Sequence, residues 1–302
     1  MTLIWTRGLL ALLLVGSSAL AQAAQAWLYL ENDIVSGSDG HYTGGMELGI
    51  AGSETSCSGP LAGKGRCLLA GQLRLLAFTP RNTRVERPVN DLPYAGVALW
   101  DTILFHRPED ARHVWQGRLR LGWLGPSTHI GEAQQQIHRL LGNHIPTGWR
   151  HQLGDQPVWG AGLGVAAPLM RGRRNGWALN GHVGAEVGTL SHYVNASLLL
   201  RLGGAALCTF DQVLGGSASR ALVTERGWHV DLGLQLAWMP HNLLVEAAPG
   251  LRQVDWLPRA MVNVGYDGGR WALAWRLHAA RYPSLEREEI DSWGGLALSV
   301  RL

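Results

Sequence analysis

The sequence predicts an all-β chain, an antiparallel transmembrane β-barrel of about twelve strands with a short helix in an extracellular loop. Three features carry this expectation: long period-two alternation, tryptophans at both ends of the apolar faces, and charges in mid-strand on the opposite faces. In the stretch 115–123, Trp115, Leu119, Leu121 and Trp123 share one face, and Gln116, Arg118 and Arg120 share the other. In 228–238, Trp228, Val230, Leu232, Leu234, Leu236 and Trp238 stand against His229, Asp231 and Gln235. The stretch 271–279 repeats the pattern, with Arg276 and His278 on its polar face. Alternation of this period belongs to strands. The bracketing tryptophans lie eight to ten residues apart. At about 3.3 Å per residue and a tilt of about 40°, that spacing spans roughly 20–25 Å, the height of the apolar band between the aromatic girdles of a membrane barrel. A soluble sandwich would turn these faces inward. The charges opposite them suit a hydrated lumen.

The elements follow in order. Residues 1–26 contain one basic residue, an apolar run Leu9–Val15 and small-residue endings at Ala21-Gln22-Ala23 and Ala24-Gln25-Ala26. They read as a secretory signal peptide cleaved near residues 23–26, with the barrel over 27–302. The apolar run is too short to span a bilayer, and no later stretch of about 20 apolar residues exists. Candidate strands are 27–33, 43–52, 71–79, 95–106, 113–124, 157–168, 175–187, 191–203, 227–239, 243–251, 258–267, 271–281 and 291–301. That makes thirteen, and single-chain barrels have even numbers, so one assignment fails. The weakest lies within 204–257, where 243–251 is short and contains Pro249. The chain closes in alternation at Leu296, Leu298, Val300 and Leu302, and no linker divides it.

Composition narrows the partners. The net charge of +3 comes without a Lys/Arg block, since Arg171–Asn175 is only a short basic turn. No nucleic-acid partner is expected, and a modest basic excess suits an anionic lipid surface. Of three cysteines, Cys57 and Cys67 lie ten apart in a Gly/Ser-rich loop and can pair, which leaves Cys208 over.

One stretch, Gly125–Gln152, breaks the alternation. Glu132–Leu141 lacks Gly and Pro, and Gly142-Asn143 followed by Pro146 is a helix stop. Gln134 and His138 are four apart and share one helix face. If the first strand starts in the periplasm, the loops 34–42, 80–94 and 125–156 all lie at the outer end. The unusual polar residues gather there. In Leu30–Gly45, Asn32 and Asp33 end the first strand, and Asp39, His41, Tyr42 and Thr43 lead into the second. A carboxylate beside an amide and Gly carbonyls offers oxygen ligands to a hard cation. Asn-Asp at a strand end is also ordinary turn chemistry. An ideal strand points Asn32 and Asp33 to opposite faces, so both serve one site only if the chain bends there.

Glu31–Asp33 (END), Gly40–Gly45 (GHYTGG), Pro93–Gly96 (PYAG) and the GP…GEAQQQIH…GW pattern across Gly125–Gln152 together resemble the LpxR family of outer-membrane lipid A 3′-O-deacylases. The resemblance implies a calcium-dependent ester hydrolase acting on lipid A, the anchor of lipopolysaccharide, in the manner of secreted phospholipases. His138 would be the general base, Gln134 would orient it or the water, Asp33 would bind Ca2+ with Asn32 beside it, and Thr43 would line the site. A His base titrates near neutrality, and calcium stabilises the oxyanion that develops on an ester carbonyl. No obligate protein partner is implied. This sequence departs from the family pattern at Leu92, where Arg is common, and at His144, six residues after His138, where an acidic residue can stand. The basic pair that meets substrate phosphate has no clean match, although Arg81, Arg84 and Arg87 lie in the second outer loop. No G-x-S-x-G is present, which argues against a serine nucleophile. The competing expectations are a passive pore and a family member that binds lipid or calcium without turnover.

Overall fold

The computed structural model describes residues 23–33, 41–59, 63–109, 112–172, 176–203, 226–285 and 288–302. The proposed signal segment up to residue 22, Asp39 and Cys208 lie outside the described residues. Thirteen strands form one sheet: β1 (Ala23–Asn32), β2 (Tyr42–Gly52), β3 (Thr55–Gly59), β4 (Gly63–Phe78), β5 (Ala95–Pro108), β6 (Val114–Leu124), β7 (Gln156–Arg171), β8 (Trp177–Gly188), β9 (Ser191–Leu202), β10 (Gly227–Asn242), β11 (Trp256–Asp267), β12 (Trp271–Arg281) and β13 (Ile290–Arg301). Strand β1 pairs antiparallel with both β2 and β13, and β2 pairs with β4, so the sheet closes. Strand β3 pairs with β4 alone and hangs from the end of the wall. Twelve strands therefore make the barrel.

The thirteenth expected strand, 243–251, is corrected. Leu243–Glu246 is a short helix, α2, and the chain does not re-enter the sheet until Trp256. Asn242 caps α2, its Oδ1 accepting from the Leu244 N–H at 3.1 Å. Leu244 and Val245 pack with Leu92, Tyr282 and the inward residues Leu76, Val97 and Leu124. An apolar run of this length looks alike as strand or buried helix. Strand β4 starts at Gly63 rather than 71, and its extension with β3 carries the Cys57–Cys67 disulfide.

Alternation resolves as the sequence predicts. Leu119, Leu121, Trp123, Trp228, Leu234 and Trp238 are exposed on the outer face, and Arg118, Arg120, Asp231 and Gln235 are buried in the lumen. There Arg120 grips Asp101 through Nε at 2.6 Å and Nη2 at 3.1 Å, and donates to Glu186 at 2.7 Å. Arg201 makes a bidentate pair with Asp231, at 2.6 and 2.8 Å, and Asn263 donates to the same carboxylate at 2.8 Å. Buried charges persist only when paired and hydrogen-bonded; Asp101–Arg120, Arg201–Asp231 and Asp231–Asn263 are direct cross-strand neighbours, and Arg120 reaches Glu186 across β7.

The connections 33–41, 79–94, 125–155, 189–190, 243–255 and 282–289 share one end of the barrel. The long members of this set mark it as the outer end.

Candidate active site

The interruption in the third outer connection is helix α1, Ile130–Leu141. Gly142 ends it in the left-handed region, φ 69°, and the Asn143 N–H closes on the His138 carbonyl at 2.9 Å. α1 is seated by aromatic packing. Tyr94 and Trp149 meet edge-on with ring centroids 5.4 Å apart, and with Ile130 and Ala77 they form a buried cluster flanked by Leu75. Two glycines make this contact possible. A Cβ on Gly131 would stand 2.7 Å from the Trp149 ring, and one on Gly148 would stand 2.0 Å from the Tyr94 ring. The Tyr94 hydroxyl donates to the Thr83 carbonyl at 2.9 Å, which ties the second outer connection to the same platform. The PYAG and GW patterns are therefore the seat of the helix.

That seat fixes which side of the wall the helix occupies. Arg74 and Leu76 of β4 face the lumen, so Leu75 and Ala77, which alternate with them, face outward. α1 lies on the lipid-facing side of β4 and β5. Its Ile137, Leu140 and Leu141 form an exposed apolar face over the last two turns of the helix, Leu140 at 85% exposure. Such a face suits acyl chains.

In the earlier turn, which meets Trp149, Gln134 is 8% exposed. Its Oε1 accepts the Trp149 indole N–H at 2.5 Å. An indole nitrogen only donates, so this contact fixes the amide orientation and turns Nε2 the other way. That Nε2 is buried with no hydrogen-bond partner among the described residues. One turn on, the half-buried His138 brings Nδ1 to 2.5 Å from the His144 backbone carbonyl. A carbonyl only accepts, so Nδ1 carries the proton and Nε2 keeps the lone pair of a base. The His144 side chain is exposed, and it is the His144 carbonyl that holds the imidazole.

The second group of predicted residues gathers beside this one. β1 ends at Asn32, so strand alternation no longer governs Asp33, which is buried at 3% exposure. Asn32 Nδ2 donates to the Thr43 carbonyl at 2.6 Å. A register shift between Tyr42 and Gly44 turns Tyr42 into the lumen, where it bonds Glu31 and meets Trp293, and turns Thr43 to the Thr79 hydroxyl. Thr79 lies just past β4, two residues from the Ala77 on which α1 rests. Asn32 and Thr43 are thus bonded, with the buried Asp33 next in the chain; Gln134 and His138 share α1, and the outer end of β4 meets both Thr43 and the helix.

Sequence reasoning did not find the surrounding clasp. His41, 1% exposed, lies between Asp91 at 2.8 Å and Asp291 at 3.0 Å and packs at a tilt against Tyr282, ring centroids 4.0 Å apart. Burial alone would lower its pKa, but hydrogen bonds and charge from Asp291 and Asp91 outweigh burial and raise it above the ordinary His value. His41 stood in the GHYTGG pattern, but its partners are far along the chain. Arg81 pairs with Glu289, whereas Arg84 and Arg87 are exposed with no anionic partner among the described residues. At the base of the third connection, the Ser127 N–H and hydroxyl and the Trp123 indole donate to Asp155 at 2.9, 2.8 and 3.0 Å. These bonds hold its carboxyl below the usual range.

Comparison with known proteins completes the picture. LpxR from Salmonella typhimurium is similar in structure, with a TM-score of 0.74 at 16% identity over 92% of this chain and 100% of that one. The outer membrane channel COG4313 from Pseudomonas putida F1 has a TM-score of 0.49 at 12% identity, over 92% of this chain and 94% of that one. A search of curated proteins found no match. The family described as "Outer membrane protein LpxR" matches residues 9–302. The chain is a β-barrel of the outer membrane and belongs to the LpxR family.

Proposed function

We propose that the protein is an outer-membrane ester hydrolase that removes a 3′-O-linked acyl chain from lipid A, with water activated by His138. The observation that carries this reading is His138 itself. Its Nδ1–H is committed to the His144 carbonyl, so Nε2 is left as a base on a helix applied to the lipid-facing wall. Family membership supports lipid A as the substrate. The lumen is occupied by paired charges such as Arg120 with Asp101 and Glu186, which favours an enzyme over a passive pore. Residues up to about 22–26 would direct secretion.

In this mechanism His138 Nε2 takes a proton from water as the water attacks the acyl carbonyl. The imidazolium that forms is stabilised by the carbonyl on Nδ1 and returns the proton to the leaving sugar oxygen. Gln134 Nε2, a buried donor with no partner among the described residues, would serve the attacking water or the developing oxyanion. The exposed Ile137, Leu140 and Leu141 would hold the acyl chain beside the base.

A calcium ion fits the donor chemistry of the neighbouring cluster. Asp33 supplies a carboxylate, Asn32 an amide oxygen and Thr43 a hydroxyl, all hard oxygen ligands. Among the described residues Asp33 belongs to no group of three His, Cys or carboxylate ligands, so carbonyls and water would complete a shell of about six to eight oxygens. When bound, such an ion would withdraw charge from the ester carbonyl.

Mass spectrometry of lipid A from cells with and without the protein tests the proposal. Loss of one ester-linked acyl chain only in cells that make the protein is the expected result. Identical lipid A in both, with folded barrel in the membrane, would refute it.

A further inference from the structure

We infer that Cys57 and Cys67, once the disulfide between them is reduced, form with His106 a binding site for Zn2+ at the end of the barrel opposite α1. Strand register brings the three together. Cys67 of β4 stands directly across from His106 of β5. Cys57 of β3 stands across from Gly65, two residues before Cys67. The two sulfurs and one imidazole nitrogen all lie within 4.8 Å of one another, the only such group of three His, Cys or carboxylate residues among the described residues.

The imidazole is the second observation that points to a ligand. His106 is 7% exposed, and its Nε2 is buried with no hydrogen-bond partner among the described residues. Gly65 leaves the room for it, since a Cβ there would stand 2.8 Å from Nε2. The unpartnered nitrogen therefore lies over the residue that Cys57 pairs with. A buried imidazole nitrogen ordinarily has a partner, and beside two sulfurs a thiophilic cation supplies one. The nearby carboxylate is engaged elsewhere: Glu54 meets Arg107 at 3.2 Å and Arg66 at 3.6 Å, and it stays outside the group of three.

The disulfide is the closed form of this site. A dithiol reductant opens it: two electrons and two protons pass to the sulfurs, the S–S bond gives way to two S–H bonds, and the reductant becomes a disulfide. Zn2+ then displaces both thiol protons and takes the lone pair of the neutral imidazole. Two thiolates and one imidazole are a zinc ligand set that leaves the fourth tetrahedral position to water. With Zn–S of about 2.3 Å and Zn–N of about 2.0 Å, the ligand atoms stand roughly 3.5–3.8 Å apart, a spacing the group reaches once the sulfurs part. β3 is five residues long and pairs with β4 alone, so it yields without opening the twelve-strand barrel. In an oxidising compartment the disulfide is the resting form, so metal uptake follows exposure to reductant.

The test is calorimetric titration of the folded, full-length barrel in non-ionic detergent with Zn2+. Cys208→Ser serves as the reference protein, so that only the two paired thiols remain. It is reduced with a dithiol and freed of it by anaerobic desalting. The expected result is saturable one-to-one binding with Kd of about micromolar or tighter, and affinity at least about 100-fold weaker in the oxidised barrel. Adding His106→Gln should weaken binding by the reduced barrel at least about tenfold. Titration with Co2+ should give thiolate-to-metal charge-transfer absorption in the reduced barrel and none after Cys57→Ser. Zinc affinity no higher in the reduced barrel than in the oxidised one overturns the site, as does reference-like affinity in His106→Gln. A reduced barrel that loses heat-modifiable gel migration also overturns it. If His106→Gln itself fails to show that migration, Cys57→Ser decides, and reference-like zinc affinity there overturns the site equally.

Discussion

Trp149→Phe followed by Gln134→Leu separates what Gln134 does for the fold from what it does for the chemistry. The phenyl ring preserves much of the packing on Tyr94 and removes only the indole N–H that meets Gln134 Oε1 at 2.5 Å. The single variant leaves a buried amide with neither end bonded among the described residues, since Nε2 has no partner there. An unsatisfied buried polar group costs about 1–3 kcal/mol, whereas replacing both partners by apolar groups can be nearly neutral. The docked state of α1 should weaken by that amount, so its amides should exchange about fivefold to 150-fold faster in Trp149→Phe. The double variant should recover most of the protection. Its deacylation should nevertheless stay low, because the Nε2 donor is gone. Hydrogen exchange of residues 130–141 and fatty-acid release from lipid A are the two readouts. Parent-like exchange in Trp149→Phe would refute the hydrogen bond. Parent-like turnover in the double variant would refute any chemical role for Gln134.

Three further outcomes follow from the same geometry. His144→Ala should retain most activity, because its backbone carbonyl, not its side chain, accepts from His138; a loss as deep as that of a base variant would contradict this. Asp33→Ala, or excess chelator with the parent protein, should lower turnover on the order of 10²-fold, and unchanged lipid A cleavage in either would remove calcium from the reading. The clasp at His41 should weaken as pH rises. Because its folded pKa is raised, its contribution is fully present below the unfolded value of about 6.5 and is lost as pH climbs through the folded value. Limited proteolysis of the 79–94 connection should therefore speed up toward pH 9, after correction for protease activity, with His41→Gln flattening the dependence; a flat profile in the parent would count against the clasp.

The barrel was legible because its signal is local. Trp228 to Trp238 states its own period, and each outward residue names its inward neighbour without knowledge of any other strand. The helix at Ile130–Leu141 was legible for the same reason, with its stop written in Gly142 and Asn143. The segment 243–251 misled because a short apolar run has the same composition in a capped helix turn as in a strand. The lower half of β4 was missed because Gly63–Arg66 carries no alternation and pairs with a Ser/Gly-rich partner. Within the site, Asn32, Asp33, Thr43, Gln134 and His138 were nameable from motif residues, but their side of the wall was not. That depends on Thr43 being turned to Thr79 at a register shift and on Trp149 meeting Tyr94, 55 positions earlier in the chain. The contact of the His138 imidazole with the His144 backbone carbonyl is likewise a backbone event that no residue letter encodes.

The central claim is that His138 Nε2 is the base for hydrolysis of a lipid A ester. The most direct measurement compares single-turnover release of fatty acid from lipid A by the folded parent barrel and by His138→Asn in the same detergent. Asparagine keeps a side-chain donor for the His144 carbonyl and abolishes the base. The account predicts a folded, heat-modifiable barrel whose rate falls on the order of 10²-fold or more. A folded His138→Asn barrel that releases fatty acid at the parent rate would contradict it.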